Sequence, residues 1–594
     1  MVYSIALSFP RKFVRLRNPT WILIVILLSL LVGFSFLVRV PTQIDTIPKL
    51  INRPVQTDPV KNVIPALSGT STQNALTQVP RYGVFEITLT ASGDYSNPYL
   101  EMPGDNSTPG FVVGTFTGPK GEEIAVDGFW DGGKTWKIRM APMTEGIWTY
   151  VTASSDIGLD GQTGQFECTA SNSKGFVQVD PNNPHHFMFQ DGTPMYWAPV
   201  TMMIAHFDLY DGRGGQRRLD NGTFQEYVHA RAGQGFNATH WGYYGFSKYQ
   251  FNNGTQQNEG GPPFENYDPD LLNPAYYQFG DERMRLLLDE GIIPELTLGW
   301  PDQGILVSIG ETRLKRYWRY LIARYTAYSV VYNLFGEVQE FGSDYLSIAN
   351  DFAQLTRNWD PYGHLLTTHT LNVNQDPAFI NQPWLDFISL QQPPAKTSDY
   401  LKYGKPIVNT EYDGYESGEV NAEELRPLTW EIRMRGGYFV YETWGDDLYS
   451  KGAEYVRLNN TFFQDQTDFW KLEYHPELFD GKQGLADPGH EYVVYLSSGG
   501  KIGIDLTNPN GMFTAEWYNP RSGGFQSAGN VDAGTIRSFE APTSEDWVLH
   551  LSLFELRDFE LRNPFLPSIN WRPAPKPVIP FYKSMEGIAD EALK

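Results

Sequence analysis

Eight short apolar runs, alternating with amphipathic helical stretches, place the strongest constraint on the fold of this 594-residue chain. Such runs are typical of buried parallel strands. They lie at residues 195–201, 236–242, 292–298, 330–335, 365–369, 385–390, 406–410 and 438–443. Apolar residues recur at helical spacing between them, as at 281–290 and 313–328. This alternation predicts a single (β/α)8 TIM barrel over residues 175–454. The rival, a doubly wound sheet, is disfavoured because the sequence has no GxGxxG after a strand and no Walker loop.

On both sides of the predicted barrel, the pattern changes to short alternating segments broken by Gly, Pro, Asn and Asp. Residues 81–172 and 455–552 are therefore each predicted to form a β-sandwich domain. Within the second domain, the run 491–496 ends in Ser-Ser-Gly-Gly, which predicts a hairpin. The Pro-rich residues 553–594 are expected to form a tail on the surface.

The N-terminal part of the chain carries a membrane signal. Residues 21–38 form an apolar run long enough to span a bilayer. The preceding residues 1–20 carry four basic side chains and no acidic one, which predicts a cytoplasmic N-terminus and an extracytoplasmic remainder. No small-x-small cleavage site follows the run, so we expect a single-pass anchor in the cell membrane. Secretion after signal cleavage is the alternative. Residues 39–80 are rich in Pro and are expected to be a linker.

The composition excludes several classes of function. A formal net charge of −23 argues against nucleic acid as a partner. The single cysteine, Cys168, cannot form an intrachain disulfide. No CxxC motif or histidine cluster is present, and we expect neither a metal site nor a cofactor. The sequence does not indicate a protein partner.

Polar and aromatic side chains follow the predicted strands, where a barrel places its active site. Glu337 follows the fourth run and Glu411 the seventh, and two such carboxylates are the minimum equipment for cleaving a glycosidic bond. The other strand-end residues suit the binding of sugar hydroxyls and ring faces. They are His206, Tyr243, Trp300, His369, Gln391 and Trp444. These residues predict a carbohydrate substrate.

Three further carboxylates are weaker candidates. Glu340 and Asp344 follow Glu337 closely and are less favoured alternatives for the acid. Glu295 lies inside the third run, where a buried and paired structural carboxylate is expected.

At these positions, the sequence resembles the apiosidase-like glycoside hydrolases of clan A. The matching segments are 191–197 (Asp-Gly-Thr-Pro-Met-Tyr-Trp), 333–337 (Asn-Leu-Phe-Gly-Glu), 364–369, 384–391, 405–412, and 435–438 leading to Trp444-Gly445. The resemblance covers about residues 81–550. It implies a TIM barrel between an N-terminal β-sandwich and a C-terminal collagen-binding-type β domain. It further implies that Glu337 is the acid/base and Glu411 the nucleophile.

One departure from the family pattern bears on the substrate. The apiosidase-type members have an aspartate at the position of Glu337, whereas the clan usually has Asn-Glu. Here Gly336 replaces that Asn, which would otherwise contact the sugar 2-hydroxyl. The resemblance therefore does not imply apiose as the sugar.

The sequence favours retaining hydrolysis, with the two carboxyl groups roughly 5–5.5 Å apart. That chemistry needs a raised pKa for Glu337 and an ionised Glu411. The alternative is a cell-surface protein that binds carbohydrate on a barrel scaffold without cutting it. A protease is disfavoured, because no HExxH or Gly-x-Ser-x-Gly motif is present.

Overall fold

A computed structural model describes residues 76–100, 112–201, 221–240, 242–243, 254, 256–301, 305–371, 376–411, 421–442 and 448–554. The predicted basic segment, the membrane anchor at 21–38, nearly all of the linker and almost the whole C-terminal tail lie outside these residues. Among the helices that are described, none is both long and apolar enough to cross a bilayer.

A closed ring of parallel strands forms the centre of the described chain. In order, its strands are Pro199–Thr201, Ala238–His240 continued by Gly242–Tyr243, Glu295–Thr297, Val331–Asn333, Leu366–Thr367, Ile388–Gln391, Ile407–Glu411 and Tyr438–Phe439. Neighbouring strands pair in parallel, through ladders or single bridges. A bridge between Val200 and Tyr441 joins the eighth strand to the first. The TIM barrel predicted from the sequence is thus confirmed.

Helices cover the outside of this ring, one or more after each strand. In the described residues, the α-helices are Asn221–Gly233, Pro274–Asp289, Ile305–Ile309, Glu311–Tyr325, Tyr345–Trp359, Pro377–Ile380, Ala422–Arg433 and Lys451–Gln466. Short 3₁₀ segments are Glu265–Tyr267, Val338–Asp344, Pro394–Tyr403, Phe469–Lys471 and Pro476–Leu478.

Local sequence signals explain where these helices begin and which face they bury. The second helix begins earlier than the predicted 281–290, because the Asn273 side chain caps it and Pro274 occupies its first turn. In Glu311–Tyr325, Leu314, Trp318 and Leu321 recur at helical spacing and are buried against the ring.

The N-terminal β domain consists of two sheets. The larger contains Gln78–Pro80, Thr163–Thr169, Gly146–Ser154, Val112–Thr117 and Glu123–Asp127, and the smaller contains Phe85–Thr90, Thr135–Met140 and Phe129–Trp130. Trp136 and Trp148 are fully buried between them. The sandwich begins before the predicted residue 81, because Gln78–Pro80 pairs with Thr163–Thr169.

A small antiparallel sheet precedes the barrel. Its strands are Val177–Val179, Phe187–Phe189 and Pro194–Met195. The first predicted run, 195–201, is therefore divided: Met195 pairs with Phe187, and barrel strand one begins only at Pro199.

The C-terminal β domain also consists of two sheets. A six-stranded sheet contains Glu473–Tyr474, Gly484–Asp487, Glu491–Leu496, Trp547–Leu553, Met512–Tyr518 and Phe525–Asp532, in that spatial order. The two-stranded sheet contains Lys501–Leu506 and Thr535–Glu540.

Two sequence predictions for this region are wrong. The boundary at 454/455 falls inside the last barrel helix, Lys451–Gln466, whose helical residues bury an apolar face against the ring. The Ser-Ser-Gly-Gly turn after 491–496 does not close a hairpin. It carries the chain to the other sheet, since Glu491–Leu496 pairs with Trp547–Leu553 while Lys501–Leu506 pairs with Thr535–Glu540.

Buried ion pairs join the N-terminal sandwich to the barrel helices. Asp281 accepts hydrogen bonds from Arg324 at 2.8 Å and from Arg139, a sandwich residue, at 2.5 Å. Arg324 also donates to Asp131 at 2.9 Å. Burial alone would raise the pKa of Asp281, but the charges of Arg324 and Arg139 hold that pKa well below its ordinary value.

We expect Asp281→Asn to lower the free energy of unfolding by about 3–5 kcal/mol, because two buried guanidinium groups would lose the carboxylate that they share. Urea unfolding followed by tryptophan fluorescence measures the change. Since the pKa of Asp281 is depressed, the loss should persist at neutral pH and fade only in acid, below about pH 4.

Asp399→Asn is the matched control, because Asp399 pairs with Lys396 at 3.4 Å on the surface. We expect this exposed pair to contribute less than about 1 kcal/mol. Equal losses in the two variants would contradict the structural role of the buried network.

Candidate active site

Glu337 lies just beyond barrel strand four, in a turn with an unusual backbone. Its φ of 43° and ψ of 49° are left-handed, a conformation that costs free energy for a residue with a side chain. Hydrogen bonds on both sides hold the turn: Gly336 N donates to Gly299 O at 3.0 Å, and Val338 N donates to His369 O at 3.1 Å. The turn is thus fixed to the ends of the two neighbouring strands.

Glu411 is the last residue of barrel strand seven. The parallel register places it opposite Gln391 of strand six, next to a register shift between Leu390 and Gln391. Gln392 N donates to Glu411 O at 3.1 Å beyond that shift. The backbone that carries this carboxylate is therefore part of the sheet rather than of a loop.

The two carboxylates approach each other at the mouth of the barrel. One carboxylate oxygen of each, together with a ring nitrogen of His369, lies within 4.8 Å of the others. Gln391 Nε2 donates a hydrogen bond to Glu411 Oε2 and another to Glu337 Oε1 at 3.4 Å. Since carboxylates only accept, the Gln391 amide must present its nitrogen to them.

Trp300, which follows strand three, also contacts Glu337. Its indole Nε1 donates to Glu337 Oε2 at 3.1 Å, and its ring centroid lies 5.7 Å from that of His369. The side chain is buried, and so is that of Gln391, whereas both glutamates are partly accessible to solvent.

Beneath the pair lies a second layer of buried polar side chains. His369 Nδ1 shares a hydrogen bond of 2.9 Å with the Thr410 hydroxyl, and His369 N donates to Asn333 Oδ1 at 3.1 Å. Asn333 Nδ2 in turn donates to Glu295 Oε1 at 3.0 Å, and the same oxygen lies 3.1 Å from His240 Nδ1. Glu295 is thus buried and paired, as its position inside strand three predicted.

The predicted site residues divide into those that the structure brings together and those that it leaves undescribed. Glu337, Glu411, Trp300, His369 and Gln391 form one cluster. His206 and Trp444 lie outside the described residues, as does the Tyr243 side chain. The weaker candidates, Glu340 and Asp344, are exposed on the 3₁₀ segment after Glu337.

Three residues of the second layer escaped the sequence reasoning: His240, Asn333 and Thr410. Each is a buried polar residue inside an apolar strand run, and that pattern is the signal that points to them. A buried polar group in a strand must find a partner, and at the carboxyl end of a barrel strand that partner is another site residue.

The spacing of Glu337, His369 and Glu411 would also suit a cation. However, the Gln391 amide already stands between the two carboxylates and donates to both. This amide therefore bridges the two carboxylates directly.

Three family models match the chain. Residues 182–436 match a model described as "Apiosidase-like, catalytic domain", and residues 78–155 match a domain of unknown function. Residues 482–552 match a model described as "Putative collagen-binding domain of a collagenase". No curated protein matches the sequence.

Solved structures share the fold. A "putative glycoside hydrolase" from Bacteroides vulgatus ATCC 8482 is 19% identical with a TM-score of 0.64, over 80% of this chain and 100% of that one. A glycoside hydrolase family 5 protein from the same organism is 16% identical with a TM-score of 0.53, over 65% of this chain and 95% of that one. A third structure, named only "Glycoside hydrolase", is 16% identical with a TM-score of 0.52, over 64% of this chain and 97% of that one.

These similarities agree with the carboxylates at the mouth of the barrel. The barrel is thus similar to the apiosidase-like catalytic domains, and this match supports glycosidase activity.

Proposed function

We propose that the chain cleaves a poly- or oligosaccharide by retaining hydrolysis, with Glu411 as nucleophile and Glu337 as acid/base. The observation that carries this proposal is the approach of their carboxylate oxygens to within 4.8 Å. Retaining enzymes hold the two groups about 5–5.5 Å apart, whereas inverting enzymes leave about 6.5–9.5 Å for a water molecule. The separation here favours direct attack by a carboxylate.

In the first step, a Glu411 oxygen attacks the anomeric carbon, and the bond to the leaving oxygen breaks. Glu337 gives its proton to that oxygen, so the aglycone departs as an alcohol and a glycosyl ester forms on Glu411. In the second step, Glu337 takes a proton from water, the water oxygen attacks the anomeric carbon, and Glu411 is released. Glu337 is protonated again at the end of the cycle.

Gln391 has a defined place in this scheme. Its amide donates to both carboxylates and therefore fixes their relative orientation. We assign it the positioning of the pair in addition to the substrate contact that the sequence predicted. His369 lies beneath the pair, with its ring held by Thr410 and its backbone held by Asn333.

The residues of the site identify the sugar only in part. Gly336 leaves no amide side chain at the position from which the clan contacts the sugar 2-hydroxyl, and the apiosidase-type aspartate is absent. We therefore assign a carbohydrate substrate without naming apiose. The purely carbohydrate-binding alternative is disfavoured, because the catalytic-domain model matches the barrel and the two carboxylates approach to within 4.8 Å.

We further propose that residues 21–38 anchor the enzyme in the cell membrane and leave the barrel outside the cytoplasm. The support is the 18-residue apolar run and the basic cluster before it. The single cysteine is compatible with either side of the membrane.

Glu411→Gln should abolish turnover in a screen of aryl glycosides and oligosaccharides. Glu337→Gln should lower kcat about 10²–10⁴-fold, because it removes the acid and base. Glu340→Gln is the matched control, since Glu340 is exposed three residues further along. Unchanged activity in Glu411→Gln, or equal losses in the control, would contradict the assignment.

Proton NMR of the first turnovers should show product with the anomeric configuration of the substrate, because two displacements at the anomeric carbon restore it. The measurement must be faster than mutarotation. Initial release of the opposite anomer would exclude Glu411 as a nucleophile and indicate an inverting reaction.

The full chain expressed in bacteria should sediment with membranes and should require detergent for release. Deletion of residues 21–38 should move it to the soluble fraction. Protease added to spheroplasts should digest the barrel while the N-terminus stays protected. A mature N-terminus beginning after residue 38 would instead show that the apolar run is a cleaved signal.

A further inference from the structure

The indole ring of Trp300 lies directly on the backbone of Gly336. A Cβ at position 336 would lie 1.8 Å from Cε2, 1.9 Å from Cδ2 and 2.2 Å from Cε3 of the indole. Non-bonded atoms do not approach so closely, so any side chain at position 336 would displace the ring. Gly336 does not have a positive φ, and its backbone would admit other residues. The contact with Trp300 is therefore what requires glycine here.

The indole is held in place from several sides. The Trp300 side chain is only 2% exposed, which leaves almost no ring surface for a sugar. The backbone bond from Gly336 N to Gly299 O joins the two strand ends immediately beside the ring. In this position, the indole N–H points at Glu337 Oε2, 3.1 Å away.

Glu337 thereby receives a hydrogen bond at each carboxylate oxygen. Trp300 donates to Oε2, and Gln391 donates to Oε1 from the opposite strand end. Two donors at different oxygens fix the plane of a carboxylate, which one donor alone does not. This matters because the strained backbone of Glu337 directs the side chain into the mouth of the barrel.

We propose that Trp300 is a positioning residue that orients the acid/base Glu337 through its indole N–H, and that Gly336 is the residue that admits it. The proposal rests on the proposed function of Glu337. It replaces the substrate-binding role that the position of Trp300 at the end of strand three predicted. Trp300 and Gly336 thus act as one coupled pair.

A donated N–H stabilises the ionised form of a carboxylate more than the neutral form. Among the described residues, the other titratable groups that face Glu337 are Glu411 and His369, and both side chains are retained when the indole is replaced. Removal of the N–H therefore favours protonated Glu337. Since Glu337 must be protonated to act as the acid, the alkaline limb of the pH–rate profile should move to higher pH.

Trp300→Phe tests the donor, because phenylalanine keeps an aromatic ring against Gly336 but has no N–H. We expect kcat to fall about 10-fold with little change in KM. The alkaline limb should rise by about one pH unit. An unchanged limb would overturn the proposal, even if activity fell, since the indole N–H would then have no effect on the ionisation of Glu337.

A second measurement does not need a substrate. In the full chain labelled with ¹⁵N-tryptophan in detergent micelles, the indole resonance that Trp300→Phe removes belongs to Trp300. The chemical shift of this resonance should change with pH in the native chain. This pH dependence should disappear in Glu337→Gln. Titration that persists unchanged in Glu337→Gln would overturn the proposal. Because this result is independent of turnover, a failure of the proposed hydrolysis is distinguishable from a failure of the positioning role.

Gly336→Ala tests the other member of the pair. It should reduce kcat strongly, whereas in a Trp300→Ala background it should have little further effect, because the clash is then gone. Gly233→Ala is the control, since nothing lies within 4 Å of a Cβ at that position, and it should leave kcat unchanged. Additive effects of Gly336→Ala and Trp300→Ala would contradict the coupling. Melting temperatures within a few degrees of wild type, and a retained NMR spectrum, identify the variants that fold.

Discussion

Closure of the parallel ring is the constraint on which the site depends. The bridge between Val200 and Tyr441 makes the eighth strand a neighbour of the first, and all strands then end at the same rim. Only in a closed ring do the ends of strands three, four, five, six and seven converge on one small volume. The carboxylates of Glu337 and Glu411 are far apart in sequence, yet they share the amide of Gln391. The backbone hydrogen bonds that close the ring therefore determine which side chains meet at the site.

The packing outside the ring supports the same rim indirectly. The N-terminal sandwich meets the second and fourth of the described α-helices, Pro274–Asp289 and Glu311–Tyr325, through the buried Arg139–Asp281–Arg324 network. Buried charges of this kind contribute little net stability compared with apolar packing, but they are costly to break one at a time. They therefore fix one arrangement of sandwich and helices. The N-terminal domain thus forms part of the barrel's support, in agreement with a core that runs continuously from one to the other.

The sequence predicted the barrel, its two flanking β domains and the approach of two glutamates, because apolar runs and strand-end positions are local signals. It failed where the outcome depends on contacts between distant segments. Met195 lies in an apolar run typical of a barrel strand but pairs with Phe187. The Ser-Ser-Gly-Gly segment is typical of a hairpin turn but connects two sheets. His240, Asn333 and Thr410 were missed for the same reason, since their partners are on other strands.

The glycine at position 336 has one interpretation from the sequence and another from the structure. In the sequence, it is the loss of an amide side chain before the acid, which weakens the match of Glu337 to the clan. In the structure, the vacated space holds the Trp300 indole, whose N–H reaches the same carboxylate. A small residue on one strand and a large one on the next conserve volume, but they replace an amide side chain with an indole N–H that faces Glu337, the proposed acid/base. The departure from the family pattern therefore removes an amide side chain but leaves Glu337 with a hydrogen-bond donor, and so it does not argue against the proposed role of Glu337.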